Sequence, residues 1–253
     1  MLQELITLNV FSFLLVFARV GSALLLLPGF SAVYVNVRSR IAIGLTVSFV
    51  MMPAVANGLP GLPAAPAALG LLIGGEILVG VFIGSLGFIM MAALHVAGTL
   101  IAYFSSMANA LIQDPIAEQQ SSLFSGFLAT VAVVMIFVTD THHLMLAAVA
   151  DSYTLFVPGE TLIMGDFSEA VARRVNDSVV LGVKLTSPII ITGLTYYLGL
   201  GLLTRLMPAL PVFFFGLPIQ VGVQIMVTMM IFSTLVMTFM TNFDETYRSF
   251  VMP

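Results

Sequence analysis

The chain contains no cysteine, which excludes disulfides, thiolate zinc sites and a cysteine nucleophile together. Charge is almost as scarce. Eight Lys+Arg and twelve Asp+Glu amount to 8% of the 253 residues, against about 25% in an average soluble domain. So few basic residues cannot form the face that neutralises phosphates, so nucleic acid is not an expected partner. HExxH, P-loop, GxSxG and dinucleotide-binding fingerprints are also missing, so no enzymatic site and no cofactor are expected. What the chain has instead is apolar surface, with 60% hydrophobic residues and a mean hydropathy of +1.13. Such a composition cannot make a water-facing exterior, and it predicts an all-α, polytopic membrane protein.

A bilayer core about 30 Å thick needs roughly 20 apolar residues as helix. About six regions approach that, several of them broken. They run over about 5–27 (interrupted by Arg19), 41–52, 69–104, 123–156 (split at Asp140-Thr141-His142-His143), 179–203 and 212–240, the last two read as a helical hairpin. Between the second and third, Pro60, Pro63 and Pro66 recur every three residues and predict an extended loop, because each proline removes a donor and restricts the residue before it. No short-period repeat is present. Glu4 stands where a signal peptide would carry positive charge, and the N-terminal segment is expected to belong to the mature fold.

Loop charge does not set the topology. With six spans, Arg38, Arg40 and Arg205 fall on one side and Arg173, Arg174 and Arg248 on the other. Half of the acids, by contrast, lie between Asp140 and Asp177, which predicts a water-facing segment there.

Individual residues stand out against this apolar background. Glu76, in the longest uncharged run, is either a functional group or a helix-end carboxylate reaching interfacial water. Arg19, in mid-helix, must find a carboxylate, a carbonyl or water, and a structural ion pair is the favoured reading. Gly70/Gly74 and Gly80/Gly84 give two GxxxG spacings on one helix, which allow close backbone approach. His95 reads as a packing or interface histidine. His142 and His143, adjacent on a helix, point about 100° apart and are not expected to converge on a metal. The segment from Ser105 to Pro115 breaks a long apolar helix with small and polar residues while keeping Met107, Leu111 and Ile112. Irregular backbone at membrane depth is tolerated only where protein buries it or it lines an aqueous cavity. The segment is therefore a pore-lining loop or, alternatively, an exposed interhelical turn.

Several motifs in order resemble the FliR family of bacterial flagellar export-gate proteins, whose injectisome relatives are called SctT. They are Phe17-Ala18-Arg19, Pro28-Gly29-Phe30-Ser31, Arg38-Ser39-Arg40-Ile41, Gly75-Glu76-Ile77-Leu78-Val79-Gly80, Asp114-Pro115, His142-His143-Leu144 and, most specifically, the run from Leu200 through Arg205 and Pro208 to Pro218. The resemblance departs at Asn36, where the family usually has proline, and at Phe104-Ser105-Ser106, where a Gln-Met-Gly-like run is commoner. It implies that residues 1–175 are a FliP-like part and 176–253 a FliQ-like hairpin, packed with separate FliP-like and FliQ-like subunits into a hetero-oligomeric helical ring. By the same resemblance, FlhB-like and FlhA-like components lie nearby, and the ring passes unfolded flagellar proteins across the inner membrane at the flagellar basal body. The assembly would stand partly above the bilayer plane, still in contact with lipid.

The resemblance further implies that the loop from about 105 to 118 is a plug, with Met107, Asn109, Leu111, Ile112, Asp114 and Pro115 as its gate residues. Flexible apolar side chains suit a watertight closure that repacks around a passing chain. Arg19, Glu76 and Arg205 are then expected to be buried or assembly charges. The competing expectation is a self-contained secondary transporter using Glu76 and Arg19 for ion coupling, although no second copy of the Glu76 region is present.

Overall fold

Long uncharged runs with few breakers fold, among the described residues of the computed structural model, as eight α-helices: α1 Leu2–Leu24, α2 Val37–Val55, α3 Pro66–Phe104, α4 Leu123–Val138, α5 Thr141–Leu155, α6 Met164–Leu185, α7 Ser187–Leu206 and α8 Val212–Arg248. The structure describes residues 2–107, 111–113, 120–160, 164–207 and 212–251, and for residues 2–9, 57, 111–113, 120–122, 212 and 213 the backbone alone. Two three-residue strands, β1 Leu111–Gln113 and β2 Gln120–Ser122, pair antiparallel with Leu111 opposite Ser122. Among the described residues, the fold is all-α apart from that ladder.

By length and composition, α2, α3, α7 and the stretch Phe214–Arg248 of α8 can each cross a membrane, and α4 with α5, bent by 75°, passes the same test only as a pair, as a broken span or a re-entrant loop. Val10–Leu24 of α1 is apolar but shorter. With 39 residues, α3 is about 58 Å long, nearly twice the hydrocarbon thickness of about 30 Å.

The breaks have local causes. α4 stops where Asp140 adopts a left-handed conformation (φ 58°), and the chain restarts as α5 at Thr141. The fifth apolar region, expected to run unbroken over 179–203, is divided at Thr186 between α6 and α7. Pro188 is the reason: it has no N–H for the Lys184 carbonyl, which accepts a hydrogen bond from the Ser187 hydroxyl at 2.9 Å instead. Asn36 caps α2 through its side chain, which accepts from the Arg38 N–H. Arg40, one turn further on, donates back to the carbonyls of Phe30 and Ala32 and so fixes the α1–α2 connection.

The chain divides into two compact units, the first made of Met1–Ile89, Ile136–Val175 and Phe243–Pro253, the second of Met90–Met135 and Asn176–Asn242. In the first, Leu15, Val16 and Val20 of α1, Val79, Ile83 and Leu86 of α3 and Met145 and Val149 of α5 form the core, closed by Phe243 and Tyr247 of α8. Phe82 is ringed by Phe156, Phe167 and Phe250 with centroids 4.5–6.2 Å away, in edge-on geometries that add to simple burial. In the second, Ala93, Leu94, Ala97 and Ile101 of α3 are buried, as are Leu128 and Ala132 of α4 and Ile189 of α7.

Candidate functional site: a buried ion pair and the root of a loop

Arg19 projects from the face of α1 that packs on α3, and it is 1% exposed; Glu76, in the second turn after Gly70, is 2% exposed. The two meet as a bidentate pair, Nε to Oε2 at 2.8 Å and Nη2 to Oε1 at 3.0 Å. Arg19 also donates to the Ser152 hydroxyl at 3.2 Å and to the Phe156 carbonyl at 2.9 Å, and its guanidinium lies 3.9 Å over the Tyr153 ring. Planar, fork-shaped arginine can satisfy a carboxylate, a carbonyl and an aromatic face at once, which an ammonium cannot. Breaking such a pair from one side is costly because it strands a buried charge.

The glycine pairs flank this ion pair along α3. A Cβ at Gly80 would run into the Ser22 hydroxyl and the Arg19 carbonyl, and one at Gly84 would lie 2.7 Å from the Ala23 carbonyl, so backbone touches backbone there. Gly70 and Gly74 have nothing within 4 Å of a Cβ; they line a cleft of about 650 Å³ that reaches Arg19 and Glu76.

The second polar locus is the C-terminus of α3. A helix leaves its last four carbonyls without helical partners. Here Ile101 accepts from the Ser105 N–H at 2.9 Å, Ala102 from the Met107 N–H at 2.9 Å and Tyr103 from the Ser106 N–H at 3.1 Å, a Schellman arrangement with Ser106 in the left-handed conformation (φ 56°). Glycine is usual at that position; serine is strained there, and its hydroxyl lies 3.3 Å from the Tyr197 hydroxyl of α7. The fourth carbonyl, that of Phe104, accepts from Gln220 Nε2 of α8 at 2.8 Å. Gln220 and Gln224 are both fully buried, and Gln224 contacts the Ile189 carbonyl and the Thr192 hydroxyl. Neither glutamine stands out among the charges of the sequence, because an amide carries none. The available signal was their four-residue spacing, which puts both on one helix face.

The loop residues singled out in the sequence are reached unevenly. Met107 is half-buried at the end of the α3 cap; Leu111 and Ile112 lie on β1, with backbone described; Asn109, Asp114 and Pro115 lie outside the described residues. The ladder pairs the backbone of 111–113 with that of 120–122, a feature the polar, proline-containing sequence does not announce. Arg205 is exposed in the last turn of α7, where its charge complements the helix dipole. His95 is exposed as well. Asp140 and the His142-His143 pair come closer than their adjacent positions suggest, with one donor atom each within 4.8 Å of one another. His143 Nδ1 lies 3.6 Å from Asp140 Oδ1, near the spacing of about 3.3 Å that donors sharing one zinc ion adopt, so the three could hold a metal ion, contrary to the expectation from their adjacent positions.

With this geometry in view, the chain can be compared with known proteins. Residues 10–246 match the family model of bacterial export proteins, family 1. The chain belongs to this family. Among its relatives, the flagellar biosynthetic protein FliR of Caulobacter vibrioides is 32% identical over 82% of either chain, and that of Bacillus subtilis 26% identical over 94% of this chain and 92% of its own. The Yop proteins translocation protein T of Yersinia pestis is 28% identical over 87% of this chain and 85% of its own. For an export-family protein, the two loci differ in kind: the ion pair fixes α1 on α3, while the glutamine–carbonyl contact fixes the point from which the 105–118 loop departs.

Proposed function

We propose that this chain is a subunit of the export gate of the bacterial flagellar type III secretion apparatus, in the inner membrane at the basal body, and that unfolded flagellar proteins pass through the assembly it helps to form. The observation that carries this is the family match over residues 10–246, joined by flagellar relatives that align along most of their length. FliP-like and FliQ-like subunits complete a helical ring around it, and FlhB-like and FlhA-like components stand beside the ring. Residues 1–175 correspond to one FliP-like unit and 176–253 to one FliQ-like hairpin, a division supported by the two consecutive long apolar helices α7 and α8. Only 11% of the spanning window of α7 and 22% of that of α8 is buried within the chain, as suits surfaces that other subunits or lipid cover. The 105–118 loop plugs the lumen. The antiparallel pairing of 111–113 with 120–122 satisfies backbone groups that unpaired chain would leave bare in a confined channel.

The self-contained transporter draws no support from the site. Arg19 engages both oxygens of Glu76, as a structural pair does. Native mass spectrometry of the chain, co-expressed with FliP-like and FliQ-like proteins and extracted in mild detergent, tests the assignment. One copy within a defined hetero-oligomer is expected; a monomer or homodimer in the presence of both partners overturns it.

A further inference from the structure

We propose that Asp140, His142 and His143 form a binding site for a divalent transition-metal ion at the bend between α4 and α5, and that the bound ion clamps this bend. The site lies within the first unit and stands apart from the export reading.

One carboxylate oxygen of Asp140 and one ring nitrogen of each histidine lie within 4.8 Å of one another. The convergence has a local cause. Asp140 takes a left-handed conformation (φ 58°), so the chain turns sharply just before α5, and its Oδ1 comes to 3.6 Å from His143 Nδ1. The two imidazole rings lie with centroids 4.0 Å apart. The His142 ring also stacks on Phe137 at 4.9 Å, and Phe137 meets Phe30 edge-on, so aromatic packing holds His142 in place.

Hydrogen bonding does not account for these side chains. An aspartate at a helix N-cap ordinarily accepts from a backbone N–H of the first turn, and Asp140 makes no such bond. Glycine would take the left-handed position without strain, so what aspartate adds there is its carboxylate. Its 3.6 Å approach to His143 is too long for a hydrogen bond but near the separation of about 3.3 Å between two donors on one zinc ion. Nδ1 of His142 is shielded from water and has no hydrogen-bond partner among the described residues, which is unfavourable for a buried polar atom and sets this ring apart from a satisfied packing histidine.

Two imidazoles and a carboxylate suit Zn²⁺ and ions of similar softness such as Co²⁺ and Ni²⁺, rather than the hard cations that prefer all-oxygen cages. Three protein ligands leave the remaining positions to water. The partial positive charge at the N-terminus of α5 works against a cation, and the Asp140 carboxylate offsets it. Asp140 and His143 are exposed, which gives the ion a path from solvent. An ion held by the residue before α5 and by two residues of its first turn fixes the direction in which the helix leaves the 75° bend.

The test uses the full chain in mild detergent, carrying an affinity tag free of histidine, with Zn²⁺ titrated against a chromophoric chelator. One Zn²⁺ per chain is expected. Asp140→Asn and His143→Asn alter exposed side chains, so the fold survives, and each is expected to weaken binding at least about tenfold, the lower end of what losing even a hydrogen-bond partner behind a ligand costs. His95→Asn removes the one histidine outside the cluster and is expected to change nothing. Co²⁺ in place of Zn²⁺ is expected to give visible absorption bands in the wild type and His95→Asn, and to lose them in the other two variants. Zn²⁺ is also expected to slow hydrogen exchange at the amides of residues 139–145 while α1 stays unchanged. A wild type that binds no more Zn²⁺ than His143→Asn overturns the site, as does an equal loss in His95→Asn. Zn²⁺ bound by these residues with no slower exchange at 139–145 overturns the clamp.

Discussion

Gly80 and Gly84 of α3 lie against the backbone of α1, whereas Gly70 and Gly74, identically spaced on the same helix, have no atom within 4 Å of where a Cβ would stand. The spacing alone does not separate these pairs; the residue between them does. Glu76 draws Arg19 onto α3, and with Arg19 comes the stretch of α1 through Ala23 that fills the Gly80/Gly84 side. A GxxxG pair is thus permission for close approach, and a buried ion pair beside it selects which helix takes it up.

The contrast can be broken most forcefully at the selector. Glu76→Leu leaves Arg19 buried without its carboxylate and is expected to destabilise the chain by about 3–5 kcal/mol, with the Arg19→Met/Glu76→Leu double variant recovering most of the loss, as read from denaturation midpoints in detergent. A double variant as unstable as the single one would show that the pair does more than neutralise itself. Gly84→Ala places a methyl against the Ala23 carbonyl and is expected to cost about 1–3 kcal/mol in the same assay. Gly74→Ala has the opposite sign. With nothing to displace, it gains helix propensity and stabilises the chain by about 0.5–1 kcal/mol. Equal effects at Gly74 and Gly84 would erase the distinction drawn between the two pairs.

Much of the helical framework was legible from apolar runs and breakers: α3 was expected over 69–104 and spans Pro66–Phe104, and the split at Asp140 was expected where α4 gives way to α5. The division between α6 and α7 was not, because hydropathy passes smoothly through Pro188, whose effect is on the hydrogen bonding of Lys184. For the ion pair, sequence reasoning required a partner for Arg19 and a reason for Glu76, yet the 57 residues between them are bridged only by the fold. Gln220 escaped notice for a different reason. It is uncharged, and its role becomes visible only when the carbonyls at the end of α3 are followed one by one to their donors.

The low burial of the apolar spans has a consequence for how such a chain is made and kept. Where folding is completed by contact with other subunits, stability depends on their concentration, and a partner at a hundredfold excess over its dissociation constant contributes about 2.7 kcal/mol. Copies of this chain synthesised beyond the supply of partners leave most of α2 and α7 without protein cover, since 11% of each span is buried within the chain. If those faces are covered by other subunits rather than by lipid, the lifetime of the chain would depend on the stoichiometry of synthesis as well as on its own sequence.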